Sequence, residues 1–356
     1  MSRGHGVTRL ADVTGLDRLG LPVWQALRPA GRSLSVHQGK GASPIGARIG
    51  ALCEAIECDH AEKAIADGPC CAFEALGEAQ RAPDLSDYGN VRSRPRSDAG
   101  PIQWCSATDL LSGRTHYVPH ACVSLDLTGA MAPSYFHRSS TGLGLGATEG
   151  EALTTALNEV VERDTIGGWD RSARSARLAS SLAVDSIPFD WLHLWRDRCR
   201  ELGLALRIFS PDSITGAPAF IVSIHGEAEF GPGCRRFSGT AVHGDPEIAL
   251  FKAMAEAMQS RLTFISGVRD DFLPSLYAAE PKNGAVQPLP PGFGQRRWDE
   301  IEARPPGWEY GAERLAELGY RQIAVKRLDD GSEEYAVVKL FVPGLGSLKR
   351  SRRPPL

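Results

Sequence analysis

Three stretches of the chain share one order of polar, small and apolar positions. Each opens on a polar residue, carries alanines four and eight places later, then an apolar residue. A glutamate follows eleven places after the opening residue, and a second glutamate or a glutamine three places beyond that. The three runs are Ser43, Ala47, Ala51, Leu52, Glu54, Glu57; Thr148, Ala152, Ala156, Leu157, Glu159, Glu162; and Asp245, Ala249, Ala253, Met254, Glu256, Gln259. Cap and carboxylate move together, by 105 residues from the first copy to the second and by 97 from the second to the third. Ser, Thr and Asp before a helix accept hydrogen bonds from its first amides, and Pro44 and Pro246 fall at the first helical position. Thr148 with Glu151 makes a capping box, so all three runs are expected to be helices.

The rest of the chain supplies strands around them. Residues 10–23 read as a strand or turn, and 32–41 feed the first helix, which Gly68-Pro69 closes. A polar stretch at 80–101 reads as a surface loop, and short alternating segments over 103–125 as strands. The loop 139–146 feeds the second helix, which Gly167-Gly168 is expected to end. An amphipathic helix is expected over 191–202, stopped by Gly203, followed by apolar strands at 204–209 and 219–224. Residues 237–244 lead into the third helix, which Gly267 stops. A Pro- and Gly-rich segment at 281–308 reads as a surface loop, and 335–342 as a last strand broken by Pro343-Gly344. Strand material alternates with the repeated helix at a period of roughly a hundred residues, above that of stacked arrays, so the expected fold class is α+β, or mixed α/β.

With 356 residues and 42% apolar content the chain can bury one large or two ordinary cores. Its net charge of −3 provides no global basic field, which argues against nucleic acid as the main ligand, and the basic run at 349–353 reads as a solvated tail. No apolar signal core opens the chain and no run of about eighteen apolar residues occurs, so no membrane partner and a cytoplasmic location are expected. The eight cysteines form no Cys-x-x-Cys pair and are expected to be reduced, packed thiols.

Glutamates three apart on a helix share one face, roughly 5–6 Å apart at Cβ. For a single such pair a solvated face suffices, with Arg163 pairing Glu159 at i, i+4. Three copies on one small-residue stripe point inward instead, because alanines four apart let a neighbouring backbone approach. Five inward carboxylates, Glu54, Glu57, Glu159, Glu162 and Glu256, demand cations, and hard oxygen ligands beside phosphate suit Mg²⁺. Gly39-Lys40-Gly41 and Gly144-Leu145-Gly146 precede their helices in register, and Lys40 breaks the symmetry with a charge, making it a candidate phosphate contact. Neither loop matches a Walker or dinucleotide pattern. Gln259 lowers the charge of the third copy, and Arg261 lies beside it, with Arg269 past the helix; an Arg fork suits a phosphate. The first two copies are therefore expected to hold metal and the third phosphate. His37 and His243 sit beside these loops and read as structural.

These pieces together resemble the YcaO superfamily. The matching runs are Ser33-Leu-Ser-Val-x-Gln-Gly-Lys-Gly41, Glu54-Ala-Ile-Glu57, Ser139-Ser-x-Gly142, Glu159-Val-Val-Glu162-Arg-Asp164, Asp245-Pro-Glu247, Glu256-Ala-Met-Gln259-Ser-Arg261 and Val342-Pro-Gly-Leu345, covering roughly residues 10–348. The resemblance implies repeated strand and helix units around a central ATP site. It implies an N-terminal segment, 1–31, packing on an ATP-binding domain at 32–348, and a basic tail at 349–356. It also implies ATP and Mg²⁺ as cofactors. ATP would contact Lys40, Glu54, Glu57, Thr155, Glu159, Glu162, Glu256, Gln259 and Arg261, with metal on Glu54, Glu57, Glu159 and Glu162.

The activity implied is modification of a peptide backbone amide: a nucleophile attacks the carbonyl, ATP phosphorylates the oxygen, and phosphate leaves. The chain departs from the pattern at Gly50, where a Ser is usual, at Cys58, where an Arg is common, and at Thr155, often Asn. It also ends in Arg353-Pro-Pro-Leu356, without the alternating proline tail of many azoline-forming members. The run 259–271 is similar to members that make thioamides with a TfuA-type sulfur-delivery partner. Expected partners are thus a precursor peptide or protein made on the ribosome, a TfuA-like protein and, in a homo-oligomer, further copies of the chain. Azoline formation, and a non-catalytic nucleotide- or peptide-binding role, are the alternatives.

Overall fold

The structure is a computed structural model and describes residues 2–88, 100–128, 136, 138–226, 235–271, 277, 290–329, 331 and 334–346. Parts of the 80–101 and 281–308 loops and the whole basic tail lie outside the described residues. The strands are β1 (Arg9–Asp12), β2 (Val23–Leu27), β3 (Val36–Lys40), β4 (Cys70–Cys71), β5 (Ile102–Asp109), β6 (Thr115–Pro119), β7 (Leu143–Gly146), β8 (Leu204–Phe209), β9 (Ala219–Gly226), β10 (Arg236–Val242), β11 (Ala324–Arg327) and β12 (Ala336–Phe341). The helices are α1 (Pro44–Glu62), α2 (His120–Val123), α3 (Glu149–Arg171), α4 (Arg174–Ala179), α5 (Asp190–Glu201), α6 (Pro246–Ser266) and α7 (Trp308–Glu317). The mixed α/β class expected from the sequence is the class observed, and the three long helices are the three repeated runs.

The chain divides into two compact units. The first comprises Met1–Pro29, Leu34–Ala55 and Trp169–Arg304. It holds two antiparallel three-stranded sheets, ordered β1-β2-β3 and β10-β9-β8. Because side chains alternate across a strand, Phe220, Val222 and Ile224 fall on one face of β9, and they share a core with Leu250, Met254 and Met258 of α6. The second unit comprises Ala30–Ser33, Ile56–Gly168 and Pro305–Leu356. Its sheet of six antiparallel strands runs β4-β5-β11-β12-β7, with β6 on β5. Trp104, Val118, Ala324 and Phe341 lie in one core cluster there, and Ile56, Leu143 and Val337 in another.

One contact recurs in all three copies. A Cβ on Gly39 of β3 would stand 2.0 Å from Ala47 O and Ala51 N, and one on Gly144 of β7 would stand 2.4 Å from Ala152 O and 2.9 Å from Ala156 N. On Gly239 of β10 it would stand 2.2 Å from Ala253 O and Ala257 N, one helical turn further along than in the other copies. Strand glycine therefore meets helix alanine at backbone distance, and Ala47, Ala51, Ala152, Ala156, Ala249 and Ala253 are all fully buried. The alanine stripe faces inward, as its spacing suggests.

The caps form as expected. Asp245 accepts from the Glu247 and Ile248 amides, with Pro246 at the first turn; Ser43 Oγ accepts from Gly46 N at 3.2 Å and Thr148 Oγ1 from Glu151 N at 3.3 Å. Glu151 reaches back to the Ala147 amide at 2.9 Å. Gly267 ends α6 at φ +62°. Two helix ends differ: α1 stops at Glu62, short of Gly68-Pro69, and α3 runs through Gly167-Gly168 to Arg171. Weak helix propensity at the two glycines is overridden by packing, since Trp169 stacks edge-on against Phe209 and donates to Ser180 Oγ at 2.9 Å. Among the described residues no helix is long and apolar enough to cross a membrane.

Candidate functional site

In the first unit, β3 and α6 bring charged and amide groups together. Lys40 Nζ donates to Gln259 Oε1 at 3.0 Å and lies 3.5 Å from Glu256 Oε2. Gln259 Nε2 donates to the Gln38 carbonyl at 2.9 Å, and the Gln38 amide donates to Glu54 Oε2 at 2.7 Å. Gln38 is itself fixed by a very short hydrogen bond from Thr263 Oγ1. Burial pushes the Glu54 carboxyl pKa upward, with Glu256 adding to the rise; the Gln38 amide, Lys40 and Arg269 oppose it. Lys40 and Glu256 keep about a quarter to a third of their side-chain exposure (26% and 30%), so this polar row is open to a ligand.

Arg261 does not join that row. It lies five residues past Glu256, on another side of α6, and its Nε donates to the buried Asp17 at 3.0 Å with its guanidinium near the Phe237 ring. Arg269 makes a bidentate pair with Asp271 at 2.9 and 2.7 Å. Both histidines are structural in their contacts: His243 Nδ1 accepts from the Asp245 amide at 3.0 Å, and His37 is buried beside Arg28.

In the second unit, α3 carries Glu159 and Glu162 with Arg163 between them, 3.4 Å from the first and 3.5 Å from the second. The i, i+4 pairing of Arg163 with Glu159 is thus real, but it sits on a half-buried face, with Glu162 only 13% exposed. Gly142 N donates to Glu159 Oε2 at 3.2 Å. Burial pushes the Glu159 carboxyl pKa up, against the pull of Arg163, Lys339 and that amide. Glu57, one turn beyond Glu54 on α1, belongs to this unit and interacts electrostatically with Lys339. Thr155 is exposed on α3.

Sequence reasoning missed Lys339. It lies on β12, whose six residues are all buried, and is 1% exposed. Burial depresses its pKa to about 8, while Glu159, Cys122, Cys58 and Glu57 act to raise it. The available signal was a single lysine inside an otherwise apolar strand. Gln38 and Gly142 fall in the matching runs, but the use of their backbone amides left no signal, because every residue except proline carries a backbone N–H.

The donor set suits Mg²⁺ with a nucleotide. Among the described residues no group of three or more His, Cys, Asp or Glu is close enough to hold an ion alone. Mg²⁺ is characteristically held by one or two carboxylates, with waters and substrate phosphates completing the octahedron. In the first unit Glu54, half-buried with a raised pKa, and Lys40 fit that division between protein and phosphate, and in the second unit so do Glu159, with its raised pKa, and Arg163. Cys58, Cys105, Cys122 and Cys199 are buried and Cys70 is exposed.

A family model for YcaO cyclodehydratases, described as ATP- and Mg²⁺-binding, matches residues 38–346. An uncharacterized protein from the tfuA 3′ region of Rhizobium leguminosarum bv. trifolii is 34% identical over 363 residues, spanning 96% of this chain and 84% of that protein. Among solved structures, the YcaO protein of Methanopyrus kandleri bound with AMPPCP and Mg²⁺ superposes with a TM-score of 0.69 at 23% identity, covering 100% of this chain and 92% of that one. A heterocyclase in complex with substrate and cofactor gives a TM-score of 0.73 at 19% identity over 95% of this chain, which spans 50% of that larger protein.

Proposed function

The chain belongs to the YcaO family, whose members bind ATP and Mg²⁺, and from that premise we propose that it is a peptide-modifying enzyme that converts a backbone amide to a thioamide. Lys40, Glu54, Glu256 and Gln259 of the first unit, and Glu57, Glu159 and Glu162 of the second, are the residues that would hold Mg²⁺ and ATP. When bound, ATP with Mg²⁺ supplies the phosphoryl group that makes the amide oxygen a leaving group. Lys40, donating to Gln259 and close to Glu256, provides a cation for phosphoryl oxygens. Arg163 pairs with both Glu159 and Glu162 and offsets their mutual repulsion, and the Gln38 and Gly142 amides orient Glu54 and Glu159. A hydrosulfide-level sulfur would attack the carbonyl carbon, and the oxygen would depart as inorganic phosphate.

The observation that carries this reading is the repeated carboxylate face of α1, α3 and α6, with Glu54 and Glu159 oriented by the Gln38 and Gly142 amides and Glu256 and Gln259 met by Lys40. Thioamide formation over azoline formation is supported by the relative encoded in a tfuA 3′ region. The test is a reaction of the protein with its precursor peptide, ATP, Mg²⁺ and either sulfide or a sulfur-delivery protein. A peptide mass gain equal to exchange of one oxygen for sulfur is expected. Loss of one water per site would establish the azoline reaction instead, and ATP binding with an unchanged peptide under every condition would overturn both.

A further inference from the structure

Lys339 is a buried ammonium in a strand that otherwise packs apolar side chains. A methionine or leucine would fill this place at lower free-energy cost, since an ammonium taken out of water is destabilising by several kcal/mol unless held. What holds it is a turn: Lys339 Nζ donates to the Ser139 carbonyl at 2.5 Å. The same turn is tied internally, with Thr141 N donating to Ser139 Oγ at 3.1 Å and Leu143 N to Ser140 O at 2.8 Å. Its last residue, Gly142, sits at φ +82° and is fixed on both sides. Its carbonyl accepts from the Leu340 amide at 2.7 Å, and its amide donates to Glu159 Oε2 at 3.2 Å. A Cβ at Gly142 would stand 2.2 Å from the Leu340 carbonyl, so no other residue fits. The chain of contacts therefore runs from the Lys339 ammonium through the Ser139–Gly142 turn to the Glu159 carboxylate. A recess of about 50 Å³ borders this turn, lined among others by Lys339, Ser139, Thr141 and Cys122. The turn thus has room to shift when its anchor is removed.

We propose that Lys339 is a positioning residue for Glu159: it clamps the 139–142 turn so that the Gly142 amide aims the carboxylate, and its charge favours the net-negative Mg²⁺–nucleotide. This rests on the assignment of Glu159 to the metal and nucleotide set. The role is separable from packing, because packing alone would be served as well by a methionine.

The experiment is calorimetric titration of a non-hydrolysable β,γ-methylene ATP analogue, with and without Mg²⁺, into the wild-type protein, Lys339→Met, Lys339→Arg and Thr141→Val. Lys339→Met is expected to fold and to melt no lower than wild type. Its Mg²⁺-dependent affinity is expected to fall roughly 10–100-fold, the range seen when residues that orient metal ligands are lost, with the Mg²⁺ half-saturation point rising in step. Lys339→Arg should recover most of the affinity. Thr141→Val, which removes the hydroxyl that accepts from Ser139 Oγ at 2.9 Å and leaves the lysine, should give a smaller loss of the same sign and keeps the proposal testable if Lys339→Met does not fold. Wild-type affinity and Mg²⁺ dependence in a folded Lys339→Met, or in Thr141→Val, would overturn the positioning role alone. Absence of binding by the wild type would overturn the nucleotide reading with it.

Discussion

Glu54 and Glu159 hold a charge at a price in apo stability that a ligand can repay. Their pKa values are raised chiefly by burial, so at pH values between the unfolded and folded pKa the native state binds more protons than the unfolded one. Stability from these groups is then fully present below the ordinary value of 4.5 and is lost as pH rises through the folded values. Glu54→Gln and Glu159→Gln should therefore raise the melting temperature of the nucleotide-free protein near neutral pH. Each should weaken Mg²⁺–nucleotide binding by about tenfold or more, equivalent to at least ~1.4 kcal/mol. Melting curves alongside titration calorimetry check both halves, and a variant that lost stability and kept affinity would refute the assignment. Lys339 has the opposite sign. Its pKa is lowered from 10.5 to about 8, so the native state gives up its proton first and stability rises with pH between those values. That rise should vanish in Lys339→Met. Buried His116, lowered to about 4 by desolvation and close to the Tyr88 hydroxyl at 2.9 Å, should make the protein lose stability as pH falls from 6.5 through 4.

At the scale of elements, the recurring unit is a strand glycine against a helix alanine pair. Gly144→Ala would drive a Cβ to 2.4 Å from the Ala152 carbonyl, where neither backbone can move without parting β7 from α3. A loss of about 3 kcal/mol or more is expected, at the upper end for overpacking, and denaturant titration measures it. Gly50 behaves differently. A Cβ there finds its nearest neighbour, Gly39 Cα, at 3.4 Å, an ordinary contact, so Gly50→Ser should fold with stability within about 0.5 kcal/mol of wild type. It would restore the hydroxyl usual at this place in the family, and tighter nucleotide binding than wild type would show that Gly50 is a weakened contact. These elements were largely legible beforehand, because caps, alanine stripes and carboxylates are local features of known period. The extension of α3 past Gly167-Gly168 was not legible, since Trp169 finds Phe209 and Ser180 only in the folded chain. Nor was the placement of Arg261, which pairs with Asp17 across 244 residues of sequence. The spacing of Glu256, Gln259 and Arg261 put all three near one another along the chain, while helical geometry turned the arginine to another side.

Taken over the whole molecule, the proposed function predicts that the half-buried carboxylates Glu54 and Glu159 link nucleotide binding to pH. A ligand that binds only the native state stabilises it by RT ln(1 + [L]/Kd), roughly 2.7 kcal/mol at a hundredfold excess over Kd. As proposed ligands of Mg²⁺, Glu54 and Glu159 would act in their ionised forms, which burial disfavours in the free protein. The gain in melting temperature on adding Mg²⁺ and the ATP analogue should therefore be small in acid and grow as pH rises through the folded pKa values of these two groups. Over that same interval the contribution of these two groups to the stability of the free protein falls, so it and the ligand-induced shift move in opposite directions. In Glu54→Gln or Glu159→Gln one titrating group is gone, and the dependence should flatten along with the shift itself. Thermal melts at a series of pH values, with Mg²⁺ held fixed and then replaced by chelator, separate this linkage from a general effect of pH on the fold. A ligand-induced shift that stayed constant across the acid range, with both glutamates intact, would mean that these carboxylates do not meet the metal.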